Sequence, residues 1–154
     1  MIKLGKLTDY AVAICVQLGR ESAACSAHHL AGKLALPEPT VAKVLKALAR
    51  QGLVESQRGA AGGYRLARPA DGVSVCDVVE ALEGPIAIVS CATGKPDSCR
   101  AESVCPARDQ WTPVNQAVRA ALQAVRISDM ARASSCAVHG LAGLKGKVVH
   151  AGIK

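Results

Sequence analysis

The chain has no phenylalanine, one tryptophan and two tyrosines among its 154 residues, although half of them are hydrophobic. A core must therefore be built from Ala, Val, Leu and Ile, which favours packed helices over aromatic-rich sheets. No apolar run approaches the roughly 18 residues that a membrane span needs, so no membrane partner is expected. The N-terminus, Met1-Ile2-Lys3-Leu4-Gly5-Lys6, has no apolar stretch followed by a cleavage site, and a cytoplasmic location is expected. In that compartment thiols stay reduced, and clustered cysteines bind metal more often than they form bridges. The glycines near residue 60 are not followed by GK[ST], which excludes a phosphate-binding loop of that type. No paired carboxylates mark an active site, so neither an enzyme nor a small-molecule substrate is expected.

What is present begins with Cys91, Cys99 and Cys105, separated by seven and then five residues, with Gly94, Pro96 and Pro106 among them. Gly and Pro punctuate this stretch and no apolar period runs through it, so the thiols sit on a loop. Soft thiolates suit zinc, copper(I) or an iron–sulfur cluster. Three cysteines without a CxxC pair argue against an ordinary structural zinc knuckle. The Cys105-Pro106 step echoes one spacing of cluster-binding loops. Zinc, a disulfide and free thiols stay open as the competing readings.

The net charge of +7 is unevenly spread. Residues 1–68 carry ten Lys/Arg against four Asp/Glu, residues 69–130 five against eight, and residues 131–154 four against none. A polyanion partner is expected at the basic N-terminal block.

In chain order, Leu7, Ala11, Ile14, Cys15 and Leu18 share one helical face, with Thr8 as N-cap and Asp9 in the first turn. Ser26 caps a short helix over 27–34 that turns Leu30 and Leu34 inward. His28 and His29 are adjacent, point to different faces, and read as surface residues. Ala35-Leu36-Pro37 makes a turn, and Pro39 suits the first position of the next helix. There Val41, Val44, Leu45 and Leu48 form the buried stripe, while Thr40, Lys43, Ala47 and Arg50, with Lys46 beside them, face outward. Two such helices make a helix-turn-helix. Two strands flank the glycine-rich turn Arg58–Gly63 and complete a wing. Arg58 at its tip can enter a minor groove, and Gly59 lets the backbone approach phosphate.

Ser74 and Asp77 form a capping box for a helix with Val75, Val78, Val79 and Leu82 inside, stopped by Gly84-Pro85. Cys76 reads as structural. Thr112-Pro113 opens a long helix whose stripe, Val114, Ala117, Val118, Ala121, Leu122 and Val125, is expected to pair with a second copy. Ser128-Asp129 caps one further turn, and the basic tail, holding Cys136 and His139, is expected to be disordered.

The expected architecture is mainly α with a small β-wing: a winged helix-turn-helix (1–84), a cysteine loop (85–108), a long dimerisation helix (109–130) and a tail (131–154). With these pieces in order, the sequence resembles the IscR/NsrR-type family of iron–sulfur transcriptional regulators over roughly residues 1–130. Leu7-Thr8-Asp9-Tyr10-Ala11, Leu36–Leu48, Gly52–Gly59, Gly62-Gly63-Tyr64, Glu83-Gly84-Pro85-Ile86 and the three-Cys loop carry the match. The branch that regulates SUF-type cluster assembly genes is nearest, through Ile86-Ala-Ile, Cys105-Pro106 and Trp111.

The resemblance implies a homodimer on a palindromic double-stranded DNA operator, as repressor or activator. It implies a cluster, [2Fe-2S] ahead of [4Fe-4S], on Cys91, Cys99 and Cys105 of one subunit. Some members place a carboxylate ligand at the position of Asp9, which makes Asp9 from the other subunit the expected fourth ligand. Two departures stand out: some members have five residues, not seven, between the first two cysteines, and Arg108 occupies a position where some have histidine. The DNA-contacting set is Thr40, Lys43, Lys46, Arg50, Arg58, Gly59 and Tyr64. The alternatives are a nitric oxide- or redox-responsive repressor and a zinc or thiol-switch regulator without iron. A cluster-dependent electron carrier, the rival of a different class, has no use for a basic wing.

Overall fold

The structure, a computed structural model, describes residues 3–59, 62–93, 99–100, 104–107 and 110–133. Helices α1 (Lys6–Leu18), α2 (Ala27–Leu34) and α3 (Glu38–Arg50) come first. Strands β1 (Val54–Gln57) and β2 (Gly63–Leu66) follow, then α4 (Val75–Glu83), α5 (Trp111–Ala124) and α6 (Ile127–Ala133). Short 3-10 turns lie at Ala70–Gly72 and Ser90–Thr93. The strands pair antiparallel, Val54 opposite Leu66 and Gln57 opposite Gly63. This is the winged helix-turn-helix that the sequence led us to expect.

Local chemistry explains most boundaries. Ser26 accepts a hydrogen bond from the His29 amide and caps α2. Ala35, left-handed at φ 52, ends it. The α3 helix begins at Glu38 after Pro37, so Pro39 takes its second position, not the first. Ser74 and Asp77 form the expected reciprocal capping box on α4, and Gly84, at φ 87, stops that helix. The core contains Ile14, Leu30, Val41, Val44, Leu45, Leu48, Val73 and Val78, all with side chains almost wholly out of water.

Two further expectations are corrected. First, α1 starts at Lys6 with Gly5 as its cap residue, so Thr8 is not the N-cap. Thr8 is buried and donates its hydroxyl to Glu83 Oε1 at 2.6 Å, while Gly5 N–H donates to the same oxygen at 2.9 Å. The cap is supplied by a side chain 75 residues away, and Leu7, expected on the inner face, is exposed.

Second, Val125, expected in the apolar stripe of the long helix, lies just past its end, and a short helix follows. Val125 C=O accepts from Val75 N–H at 2.9 Å, and Ile127 N–H donates to Val73 C=O at 2.9 Å. These backbone groups are spent on a short antiparallel pairing centred on Ser74 and Arg126, so the helix cannot continue through them.

The core also draws on residues beyond 84. Ile127 is fully buried in it, and α6 packs against α1 and the 3-10 turn at Ala70–Gly72. The expected tail falls almost entirely on residues 134–154, outside the described residues.

Glu83 gives a pH signature. The Thr8 hydroxyl first, then the Gly5 amide, hold its carboxyl below the usual carboxylate range. Its contribution to stability is therefore complete above the unfolded value, about 4.3, and is lost as pH falls through the lower folded value. Glu83→Gln should flatten the acid branch of a stability-versus-pH curve in that window. Thr8→Val should destabilise by about 1 kcal/mol at neutral pH in urea unfolding.

Candidate nucleic-acid interface and metal centre

The side expected to face DNA is built from α3 and the wing. Burial of Val41, Val44, Leu45 and Leu48 fixes the rotation of α3. That rotation leaves Lys43, Lys46 and Arg50 exposed and Thr40 half-exposed along the opposite side. At the wing tip Arg58 and Gly59 are exposed, and Gly59 has φ 119, a conformation that favours glycine. Among the described residues none of Lys43, Lys46, Arg50 or Arg58 forms an ion pair. By contrast, Arg65 is tied to Glu55, Arg68 to Asp77 and Arg119 to Glu80. Lys43, Lys46, Arg50 and Arg58 can therefore attract an external anion from the side formed by α3 and the wing tip.

Tyr64 is placed differently from the other expected contacts. Its ring is half-buried against the core, and its main chain exchanges two hydrogen bonds with Cys25, of 2.8 and 2.9 Å. Next to it, a Cβ on Gly63 would lie 2.6 Å from the Cys25 backbone, so only glycine fits there.

The cysteine segment leaves α4 at Gly84, and Asn115 ties its first residues to α5. The Asn115 amide donates to Ile86 C=O at 2.9 Å, and its oxygen accepts from Ile88 N–H at 3.1 Å. Arg119 adds a two-point ion pair from α5 to Glu80 on α4. Cys91 lies in the 3-10 turn that follows, and Cys99 and Cys105 lie on irregular chain; each is a half-buried free thiol. Three soft donors on non-helical backbone fit a thiophilic centre in chemistry. In spacing the three stand apart, and a centre would have to draw them together. Arg108, at the expected histidine position, lies outside the described residues.

Asp9 is exposed in the first turn of α1. It lines a hollow of about 400 Å³ with Val12, Val16, Leu34 and Met130, which contains none of the three cysteines of its own chain. Along α5 no residue is buried, and Trp111, Val114 and Val125 are exposed.

One group of ligand-type side chains has no counterpart in the sequence analysis. Among the described residues, Glu21, Cys25 and His29 have donor atoms all within 4.8 Å of one another, and no other such trio occurs. Their spacing of four residues each was a visible signal, but residues 19–26 are not helical, so periodicity could not place them together.

A family model described as "Rrf2: Iron-dependent Transcriptional regulator" matches residues 4–133. The chain belongs to the Rrf2 family. It is 34% identical over 95 residues, 60% of either chain, to the HTH-type transcriptional regulator IscR of Cereibacter sphaeroides. The structure of CymR, the global cysteine regulator of B. subtilis, superposes with a TM-score of 0.68 at 27% identity, covering 86% of this chain and 98% of that one. T. potens IscR, at 24% identity, superposes with a TM-score of 0.68 over 90% and 94% and shares the fold. The protein is therefore a helix-turn-helix transcriptional regulator and not an enzyme. Among the described residues no helix is long and apolar enough to cross a membrane.

Two measurements check this geometry. Asn115→Ala should speed hydrogen exchange at the Ile88 amide while leaving the α3 amides protected. Lys43→Ala should cost about 1–3 kcal/mol on operator DNA and relax one position, whereas Arg58→Ala should weaken all sequences and reduce the salt dependence.

Proposed function

We propose that this Rrf2 regulator is a homodimer that binds a palindromic operator and senses an iron–sulfur cluster, with SUF-type cluster assembly genes as its targets. In this reading residues 1–84 read DNA, the cysteine loop holds the cluster, and α5 joins two copies through its exposed stripe. Cys91, Cys99 and Cys105 of one subunit and Asp9 of the other are the ligands, and [2Fe-2S] is the cluster favoured. Thr40 and Lys43 face base edges, while Lys46, Arg50, Arg58 and the Gly59 backbone face phosphate or the minor groove. Tyr64, held to Cys25, positions the wing.

The observation that carries the reading is the way both ends of the Cys91 approach are anchored. Glu83, two residues before Pro85, bonds the start of α1 through Gly5 and Thr8, next to Asp9. Ile86 and Ile88 are clamped to α5 by Asn115. A change in loop position therefore pulls on α1, and α1 packs directly on α3. When bound, a cluster supplies charge and a redox-sensitive set of bonds at that loop. The harder carboxylate of Asp9 would leave one position more exchangeable than a thiolate.

A second reading, a thiol switch without iron, draws on the similarity to the cysteine regulator CymR. Visible absorption and iron content of anaerobically purified protein separate the two. Alanine at Cys91, Cys99 or Cys105 should strip both signals, while alanine at Cys15, Cys25, Cys76 or Cys136 should not. A colourless, iron-free parent protein would favour the thiol switch, and a full iron complement in Cys99→Ala would remove the ligand assignment. Asp9→Ala should assemble a cluster with an altered spectrum and faster loss in air.

A further inference from the structure

We propose that Glu21, Cys25 and His29 form a second metal site, for a borderline-soft divalent cation of the zinc class, at the root of the wing. It is independent of the cysteine loop and of the cluster reading.

The three donors come from three different local settings. Glu21 follows the end of α1, Cys25 directly precedes the Ser26 cap, and His29 lies in the first turn of α2. Their ligand atoms all lie within 4.8 Å of one another, and His29 Nε2 is 3.6 Å from Glu21 Oε1. Ligand atoms on one tetrahedral zinc stand about 3.5 Å apart, so only small side-chain movements are needed. A mixed oxygen, sulfur and nitrogen set suits zinc better than a hard cation or an iron–sulfur cluster.

The surroundings support the ligand roles. The Gln17 amide donates to Glu21 Oε1 at 2.7 Å and orients the carboxylate, as an outer partner does in metal sites. Lys33 lies close enough to act electrostatically on Glu21 and opposes a cation, which lowers affinity without blocking any ligand. Cys25 is buried, while His29 is exposed and leaves an approach from solvent. On binding, the Cys25 thiol gives its proton to solvent and its sulfur forms the bond to the metal. Neutral His29 donates a ring nitrogen lone pair, and water fills the fourth position. Three ligands with one open position describe an exchangeable site, not a structural one.

The consequence for DNA binding follows from Cys25. Its main chain is bonded in both directions to Tyr64 on β2, and the next residue caps α2. A metal here would tie the end of α1, the wing and the helix-turn-helix at one point. Occupancy would tighten the wing against α2 and so change operator affinity.

The test uses the full chain with Cys91, Cys99 and Cys105 replaced by Ser, so that the loop cannot take metal. Titration with Co²⁺ alone should give one equivalent per chain, a thiolate-to-cobalt charge-transfer band and visible bands of tetrahedral intensity, all displaced by Zn²⁺. Cys25→Ser in that background should abolish the charge-transfer band. His29→Gln, at an exposed position that leaves the core untouched, should weaken binding by at least about tenfold. Absence of a stoichiometric band, its survival in Cys25→Ser, or unchanged Co²⁺ affinity in His29→Gln would each overturn the proposal. If Cys25→Ser fails to fold, the His29→Gln affinity decides.

Discussion

The backbone pairing of Cys25 with Tyr64 is the constraint on which the placement of the wing depends. A two-stranded ribbon standing alone is marginal in water. Here β2 is fastened on its outer side to the loop that starts α2, and the absence of a side chain at Gly63 lets the two backbones approach. The wing is thereby held at a fixed angle to α2, and α2 packs on α3. Arg58, at the tip of that wing, is exposed, as are Lys43, Lys46 and Arg50 on α3.

A second network runs through acidic side chains. Glu83 closes the start of α1, Glu80 receives Arg119 from α5, and Asp77 serves the α4 cap while receiving Arg68. All three acids belong to α4. The acidic middle of the chain is thus spent on internal joints between the helices around the cysteine segment. The basic N-terminal block is left with unpaired cations where an external polyanion can reach them. Charge segregation along the sequence becomes a division of labour in space.

Much of this was legible in the sequence because its causes are local. The α3 stripe, the Ser26 cap, the Ser74–Asp77 capping box and the glycine-rich wing tip each depend on residues within a few positions of one another. What escaped was decided by distant partners. Thr8 reads as a cap because nothing nearby reveals that Glu83 will do the capping. Val125 reads as the end of an apolar helical stripe because the claim of Val73 and Val75 on the neighbouring backbone is invisible in the sequence. The burial of Ile127 has no local signal for the same reason. Glu21, Cys25 and His29 converge only because the end of α1 and the start of α2 turn back on each other. The cysteine spacing identified a soft donor set, but spacing alone does not fix the distances among its sulfur atoms.

The return of Ile127 to the core has a consequence for biosynthesis. A ribosome releases the chain from its N-terminus, so the helix-turn-helix and the wing emerge long before α6. Until residue 127 clears the exit tunnel, the core has an unfilled place next to α1, and Val73 and Val75 have open pairing positions. The last described helix thus acts as a completion signal. A nascent or prematurely terminated product, carrying the recognition helix but not the segment that follows the cysteines, lacks the closing piece. Such a fragment is poorly equipped to occupy an operator without the means to regulate it.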